Sequence, residues 1–254
     1  MLRTIFVVGT AGSGKSTFTA SFSEWLKDNE QTVATVNLDP AAIALPYEPD
    51  IDVREIVDYE RIMATRGLGP NAALIASVRE VAKNIELISD QLEEMDLDYA
   101  VIDTPGQLEL FAFRKEGRII ARELSIDRSS LVYLVDPTLA LTTRNFAATL
   151  FLATSVYLSF SLPTVLAVSK IDIVPKKYLK RISRWLSSEE AFEVEVENVG
   201  HGIQMLISRE VARLVYEIGQ SFPYVMISAK TLKGMSELHM VITRILGEGE
   251  DELR

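Results

Sequence analysis

Residues 9–17 read Gly-Thr-Ala-Gly-Ser-Gly-Lys-Ser-Thr and follow directly on the apolar run Thr4-Ile5-Phe6-Val7-Val8. The pattern G-x-x-x-x-G-K-[ST] constrains the fold because it needs three things in sequence: a strand to deliver the chain to Gly9, glycines that turn backbone N–H groups inward, and a helix starting near Lys15. In that arrangement Gly12, Ser13 and Gly14 cradle phosphate oxygens, helped by the positive end of the helix dipole. Lys15 reaches the β- and γ-phosphates, Ser16 is placed to ligate Mg²⁺, and Thr17 completes the loop. A glycine turn that merely capped a helix would explain the glycines but not the Lys-Ser-Thr behind them.

The rest of the chain alternates between strand and helix patterns. Apolar, β-rich runs occur at Thr4–Val8, Thr32–Leu38, Tyr99–Ile102, Leu131–Val135, Thr164–Val168 and Tyr224–Ile227. Between them, helical periodicity predicts helices over Ser16–Lys27, Ala72–Glu94, Arg114–Glu123, Arg144–Phe160, Lys177–Leu186, Ile203–Gly219 and Gly234–Leu246. This alternation predicts an α/β fold, a doubly wound and mostly parallel sheet with helices on both faces and ligands at the C-terminal strand ends. No repeat or linker divides the chain. We expect one domain over residues 1–247, with a long irregular insertion from about 43 to 71 and an acidic solvated tail at 248–254.

Composition narrows the function classes. A chain of 254 residues buries roughly three-quarters of its unfolded surface, enough for one large domain. It has no cysteine, which excludes disulfides and thiolate metal sites. Its two histidines, His201 and His239, are far apart in sequence and read as ordinary helix or loop residues. A net charge of −10 argues against a broad nucleic-acid surface, and the basic run from Lys176 to Arg184 reads as a solvated helix face. Asn145 to Ser169 carries no charge and is long enough to span a bilayer, yet Pro163 splits it into a helix followed by a central strand. A helix so apolar on several faces also suits a subunit interface. With no cleavable leader visible, the expected location is cytoplasmic.

Two further motifs stand at strand ends. Asp103-Thr104-Pro105-Gly106-Gln107 follows the third β-run. There Asp103 can hold Mg²⁺ through water opposite Ser16, the Gly106 N–H can sense a γ-phosphate, and Gln107 can orient an attacking water. Ser169-Lys170-Ile171-Asp172 resembles the guanine signature Asn-Lys-x-Asp with serine in place of asparagine. Asp172 can accept both the N1–H and N2–H₂ donors of guanine while the Lys170 stem covers the purine face. The missing asparagine is expected to remove a tie between loops rather than the discriminating contact. Ser228-Ala229-Lys230 resembles the companion loop, in which the Ala229 N–H meets guanine O6.

Asn37-Leu38-Asp39-Pro40-Ala41 ends the second β-run, and Gly69-Pro70-Asn71 opens a helix after the insertion. Together with the glycine loop, Asp-Thr-Pro-Gly-Gln-Leu-Glu and Ser-Ala-Lys, in this order over residues 3–247, they resemble the GPN-loop GTPases, archaeal members above all. The resemblance implies a P-loop NTPase of the class that includes the signal-recognition and MinD-like (SIMIBI) proteins. It implies GTP and GDP as substrate and product, Mg²⁺ held by Ser16, Asp39 and Asp103, and a water site completed by Gln107 and Glu109. It also implies a homodimer in which Asn71 contacts the nucleotide of the opposite subunit, and a protein client such as an RNA polymerase assembly. A bland alternative for Gly69-Pro70-Asn71 is a turn with Asn71 capping a helix from Ala72. Two other function classes stay open: an ATP-using P-loop kinase or ATPase, and a GTP-binding scaffold with negligible turnover.

Overall fold

The computed structural model describes residues 1–197 and 203–247. His201 and the tail 248–254 lie outside the described residues. In chain order the elements are β1 (Arg3–Gly9), α1 (Lys15–Asp28), β2 (Val33–Asn37), β3 (Ile51–Asp52), α2 (Val53–Ile56), α3 (Tyr59–Arg66), α4 (Pro70–Lys83), α5 (Ile85–Glu94) and β4 (Tyr99–Asp103). They continue with α6 (Leu108–Ala112), α7 (Lys115–Glu123), β5 (Arg128–Val135), α8 (Thr143–Phe160), β6 (Thr164–Val168), α9 (Lys176–Ser187), α10 (Glu189–Glu197), α11 (Ile203–Ser221), β7 (Tyr224–Met226) and α12 (Met235–Gly247).

The strands form one sheet in the order β3-β2-β4-β1-β5-β6-β7, with every pairing parallel. Central β1 is fully paired, against β4 through Thr4–Ala100 and against β5 through Phe6–Leu131. From β1 the chain runs outward to one side and later returns to fill the other, so the strand order reverses there. In doubly wound sheets a ligand crevice opens at such a point.

Side-chain alternation explains the two-sided core. Ile5 and Val7 of β1, Val101 of β4, and Val132 and Leu134 of β5 face Phe18, Phe22 and Leu26 of α1 and Leu238 and Ile242 of α12. Their neighbours Phe6, Val8, Ile102, Leu131 and Tyr133 face the larger layer built by α4 to α11. Because both faces are covered, the strands read as unbroken apolar runs.

The structure corrects three expectations. The predicted helix Ala72–Glu94 is two helices, divided at Asn84, whose carboxamide Nδ2 donates to the Glu80 carbonyl at 2.8 Å. Asparagine competes with the helix for its backbone groups, and here it ends one helix and enters the next. The segment 43–68 is not irregular: it carries the short edge strand β3 and helices α2 and α3, each capped by an aspartate. Asp52 accepts from the Arg54 N–H at 2.9 Å, and Asp58 accepts from the Arg61 N–H at 2.8 Å. Asn71 is not a helix cap, because α4 begins one residue earlier with Gly69 at the N-cap and Pro70 in the first turn.

The uncharged stretch 145–169 divides between α8 and β6. In α8, Thr149, Thr154, Ser155 and Ser159 each donate a hydroxyl to the carbonyl four residues back. Among the described residues, no helix is long and apolar enough to cross a membrane. At the other end of the sheet from the β1–α1 loop, His239 pairs with the Tyr99 hydroxyl at 2.9 Å and packs on Trp25. Burial, with help from the Arg3 charge, holds its imidazole below the ordinary histidine range.

Candidate active site

The C-terminal ends of β1, β2, β4 and β6 converge on a cavity of about 480 Å³. Its lining includes Gly12, Gly14, Lys15, Ser16, Thr17, Asp39, Asp103, Gly106 and Lys170. The loop between β1 and α1 turns through two left-handed glycines, Gly12 at φ 76° and Gly14 at φ 97°, a conformation that disfavours side chains with a Cβ. Lys15 is 6% exposed, and its Nζ donates to the Gly9 carbonyl at 3.1 Å. Burial lowers its pKa, while the charges of Asp103 and Asp39 act in the opposite direction. The ammonium thus sits at the mouth of the loop, facing two carboxylates.

The carboxylates are placed differently. Asp103 ends β4 and is 2% exposed. Burial pushes its pKa up to about 6, opposed by the Ser16 hydroxyl, the Lys15 ammonium and the Tyr47 hydroxyl, and reinforced by the nearby Asp39 charge. Its Oδ2 accepts from Tyr47 Oη at 3.2 Å, whereas its buried Oδ1 has no hydrogen-bond partner. Asp39 is fixed from two loops: Oδ1 accepts from the Ala41 N–H of its own loop and Oδ2 from the Gly106 N–H of the loop after β4, both at 3.0 Å. The Gly106 N–H therefore already holds an anionic oxygen, of the kind a γ-phosphate would present.

Gln107 and Glu109 open α6, and they line a second cleft of about 230 Å³ that shares Gly106 with the first. Thr10, Phe113 and Leu152 complete its wall. Asn71 is exposed, and its Oδ1 lies 3.5 Å from Gln107 Nε2 of the same chain. The Gly-Pro-Asn triad is tied to the insertion through Tyr59, whose hydroxyl donates to the Pro70 carbonyl at 3.3 Å.

At the β6 end, Ser169 is buried, and its Oγ lies within 3.1 Å of the Ser13 carbonyl and 3.2 Å of the Val135 carbonyl. The expected loss of an inter-loop tie does not occur, because the hydroxyl spans the gap between this segment and the glycine loop. Lys170 adopts a left-handed φ of 54° and lays its stem against Gly14, 3.7 Å from where a Cβ on that residue would sit. Its Nζ bonds to the Gly12 carbonyl and pairs with Asp136 Oδ2 at 2.7 Å. Burial alone would raise the Asp136 pKa, but the bonds from Lys170 and Thr138 outweigh it and hold the carboxyl low. Ser228, fully buried, donates to the exposed Asp172 at 2.7 Å, which brings the two candidate base-binding segments together beside Ala229 and Lys230.

Sequence reasoning missed Tyr47 and Asp136. Asp136 left a readable signal as the first carboxylate after an unbroken β-run. Tyr47 left none, because it approaches Asp103 across 56 positions of chain. Among the described residues, no cluster of three or more His, Cys, Asp or Glu side chains could hold a metal ion alone. A cation here would share its coordination with hydroxyls and phosphate oxygens, as Mg²⁺ does.

A family model described as "Conserved hypothetical ATP binding protein" matches residues 7–248. The chain is 34% identical to a GPN-loop GTPase of Pyrococcus abyssi over 236 residues, covering 92% of this chain and 93% of that one. It is 33% identical over 197 residues to GPN-loop GTPase 1 of Dictyostelium discoideum, covering 76% of this chain but about half (49%) of that longer relative. The crystal structure of a GTPase in apo form from Pyrococcus abyssi superposes with a TM-score of 0.85 at 30% identity, covering 95% of this chain and 96% of that one.

Proposed function

The chain belongs to the GPN-loop GTPase family, and from that premise we propose a Mg²⁺-dependent enzyme that hydrolyses GTP to GDP and phosphate as a nucleotide-controlled dimer, switching the assembly of a protein complex. Residues 1–247 are its catalytic domain, and the insertion from 43 to 71 carries the Gly-Pro-Asn loop. The observation that carries this reading is the convergence of Lys15, Asp39, Asp103 and Gly106 on one cavity, with Gln107 lining the adjoining cleft and Asn71 beside Gln107.

The glycine-loop N–H groups and Lys15 hold the β- and γ-phosphates, and charge spreading over the phosphoryl oxygens is met by donors already in place. Ser16, Asp39 and Asp103 fit a magnesium ion, since the buried Asp103 Oδ1 lacks a donor and a metal-bound water would supply one. A bound ion would supply positive charge to the phosphate oxygens beside these three side chains. Gln107, with Glu109 nearby, orients water, and Asn71 acts on the nucleotide of the partner subunit. A γ-phosphate would compete with Asp39 for the Gly106 N–H, which would leave that carboxylate available to a metal ion. Asp172, oriented by Ser228, selects guanine. The exposed Tyr157 and Leu158 of α8, with Leu152 beside the Gln107 cleft, supply apolar surface for the dimer.

Lys15→Ala tests the assignment. Hydrolysis is expected to fall by at least on the order of a thousandfold, because a phosphate-bound ammonium contributes to both binding and transition-state stabilisation. Folding should survive, since the substitution removes a charge that burial already disfavours. Retention of a tenth of the wild-type kcat/KM would reject the mechanism.

A further inference from the structure

The insertion touches the active site at both of its ends. Near its start Tyr47 donates to Asp103, and at its finish Asn71 lies against Gln107. We propose that Tyr47 is a positioning residue: its hydroxyl fixes the Asp103 carboxylate for the divalent metal, so that metal affinity depends on how the insertion is seated. This rests on the reading of Ser16, Asp39 and Asp103 as the Mg²⁺ site.

The geometry divides the two carboxylate oxygens. Tyr47 takes Oδ2, which sets the rotation of the group, and Oδ1 is left buried and without a donor. A carboxylate free to rotate would offer a metal-bound water either oxygen in several orientations, whereas a fixed one offers a single direction. Hydrogen-bonding partners of this kind tune metal affinity without touching the ion.

Tyr47 is itself held by structure on both sides. Three residues on, Asp50 is tied to β2: its Oδ2 accepts from Thr35 N at 2.7 Å and from Thr35 Oγ1 at 2.9 Å, and its own N–H donates back to the Thr35 carbonyl at 3.0 Å. Across a cleft stand Thr17, Ala20 and Ser21 of α1. Beyond Asp50, Arg54 grips Asp52 through Nε at 2.9 Å and reaches the Ala42 carbonyl at 2.9 Å, while Asn37 of β2 bonds the same Asp52 at 2.9 Å. The segment leading into and out of Tyr47 is thus clamped to β2, and the hydroxyl is delivered to Asp103 as part of a fixed unit. Because that unit continues through α3 to Pro70, metal at Asp103 and the pose of the Gly-Pro-Asn loop are linked by one stretch of chain.

Tyr47→Phe in the full-length chain removes the hydroxyl and keeps the ring. Binding of a fluorescent GDP analogue is followed across a Mg²⁺ titration and in EDTA, with hydrogen exchange over residues 43–71 in parallel. The Mg²⁺ concentration for half-maximal tightening should rise about tenfold, with affinity in EDTA unchanged within about twofold. Mg²⁺-dependent protection of the insertion should weaken with it. In an Asp103→Asn background, Tyr47→Phe should shift nothing further. An unchanged Mg²⁺ midpoint alongside a lowered thermal midpoint would make Tyr47 a packing residue and overturn the proposal. If wild-type GDP binding does not respond to Mg²⁺ at all, the magnesium site itself is rejected, and the role of Tyr47 with it.

Discussion

Ser169 stands where the guanine signature carries asparagine, and its short side chain still ties the glycine loop to the end of β5 because the Ser13 and Val135 carbonyls both lie near 3 Å from it. That leaves base choice to Asp172, whose Oδ1 is already engaged by Ser228. Asp172→Asn keeps an acceptor for Ser228 but turns an amide donor toward guanine N2–H₂, where donor meets donor. GTP affinity should drop by at least on the order of a hundredfold while xanthosine triphosphate, with a carbonyl at that edge, gains. Calorimetry with GTP, ATP and the xanthine nucleotide measures this, and equal wild-type affinity for ATP and GTP would remove Asp172 from the assignment. Residues of this kind were legible in the sequence because the chemistry of a phosphate or base contact is compressed into short runs at strand ends. Tyr47 was not legible, since only the folding of the insertion against β2 brings it to Asp103.

Elements were legible in proportion to their length. Buried strands are uninterrupted apolar runs: Thr164–Val168 is placed to the residue, and the other long strands to within one to three residues at either end. The two-residue β3 has no period to read, and α2 and α3 are announced only by Asp52 and Asp58 as caps. The break at Asn84 hides inside a continuous helical pattern, because the apolar stripe resumes immediately at Ile85. Packing between α6 and α7 hides too, yet it has a sharp consequence. A Cβ on Gly117 would fall 1.7 Å from the Phe111 carbonyl oxygen, so only glycine lets α7 cross the end of the helix that carries Glu109. Gly117→Ala must push backbone apart and should cost about 3 kcal/mol, lowering the thermal midpoint by several degrees and disturbing the Gln107 cleft. Gly69 is the contrast: nothing lies within 4 Å of its added Cβ, and its φ is −71°. Gly69→Ala gives up only the N-cap preference of glycine over alanine and should cost at most about 1 kcal/mol, and comparable losses in the two variants would refute the packing argument.

At the scale of the whole molecule, the exposed Gly-Pro-Asn triad poses the question of which nucleotide Asn71 serves, its own or that of a partner subunit. Within one chain Asn71 lies 3.5 Å from Gln107, which itself lines the cleft beside the glycine loop. A trans arrangement needs the second copy to bring its triad onto the cavity, and complementation separates the two cases. Consider a heterodimer of one Lys15→Ala chain and one Asn71→Ala chain, purified through two different tags. If Asn71 acts in trans, the second chain keeps Lys15 and receives an intact Asn71 from the first, so one of the two sites is whole. Hydrolysis should then exceed both parental homodimers and approach about half the wild-type rate when sites act independently. If Asn71 acts in cis, each site lacks one residue, and the heterodimer is no better than its parents. Strict coupling between two loaded sites would also silence a trans heterodimer, so a control pairs one wild-type chain with one Lys15→Ala chain. Coupling predicts that this control is inactive as well, whereas an active control beside a silent double heterodimer, shown intact by light scattering, assigns Asn71 to its own subunit.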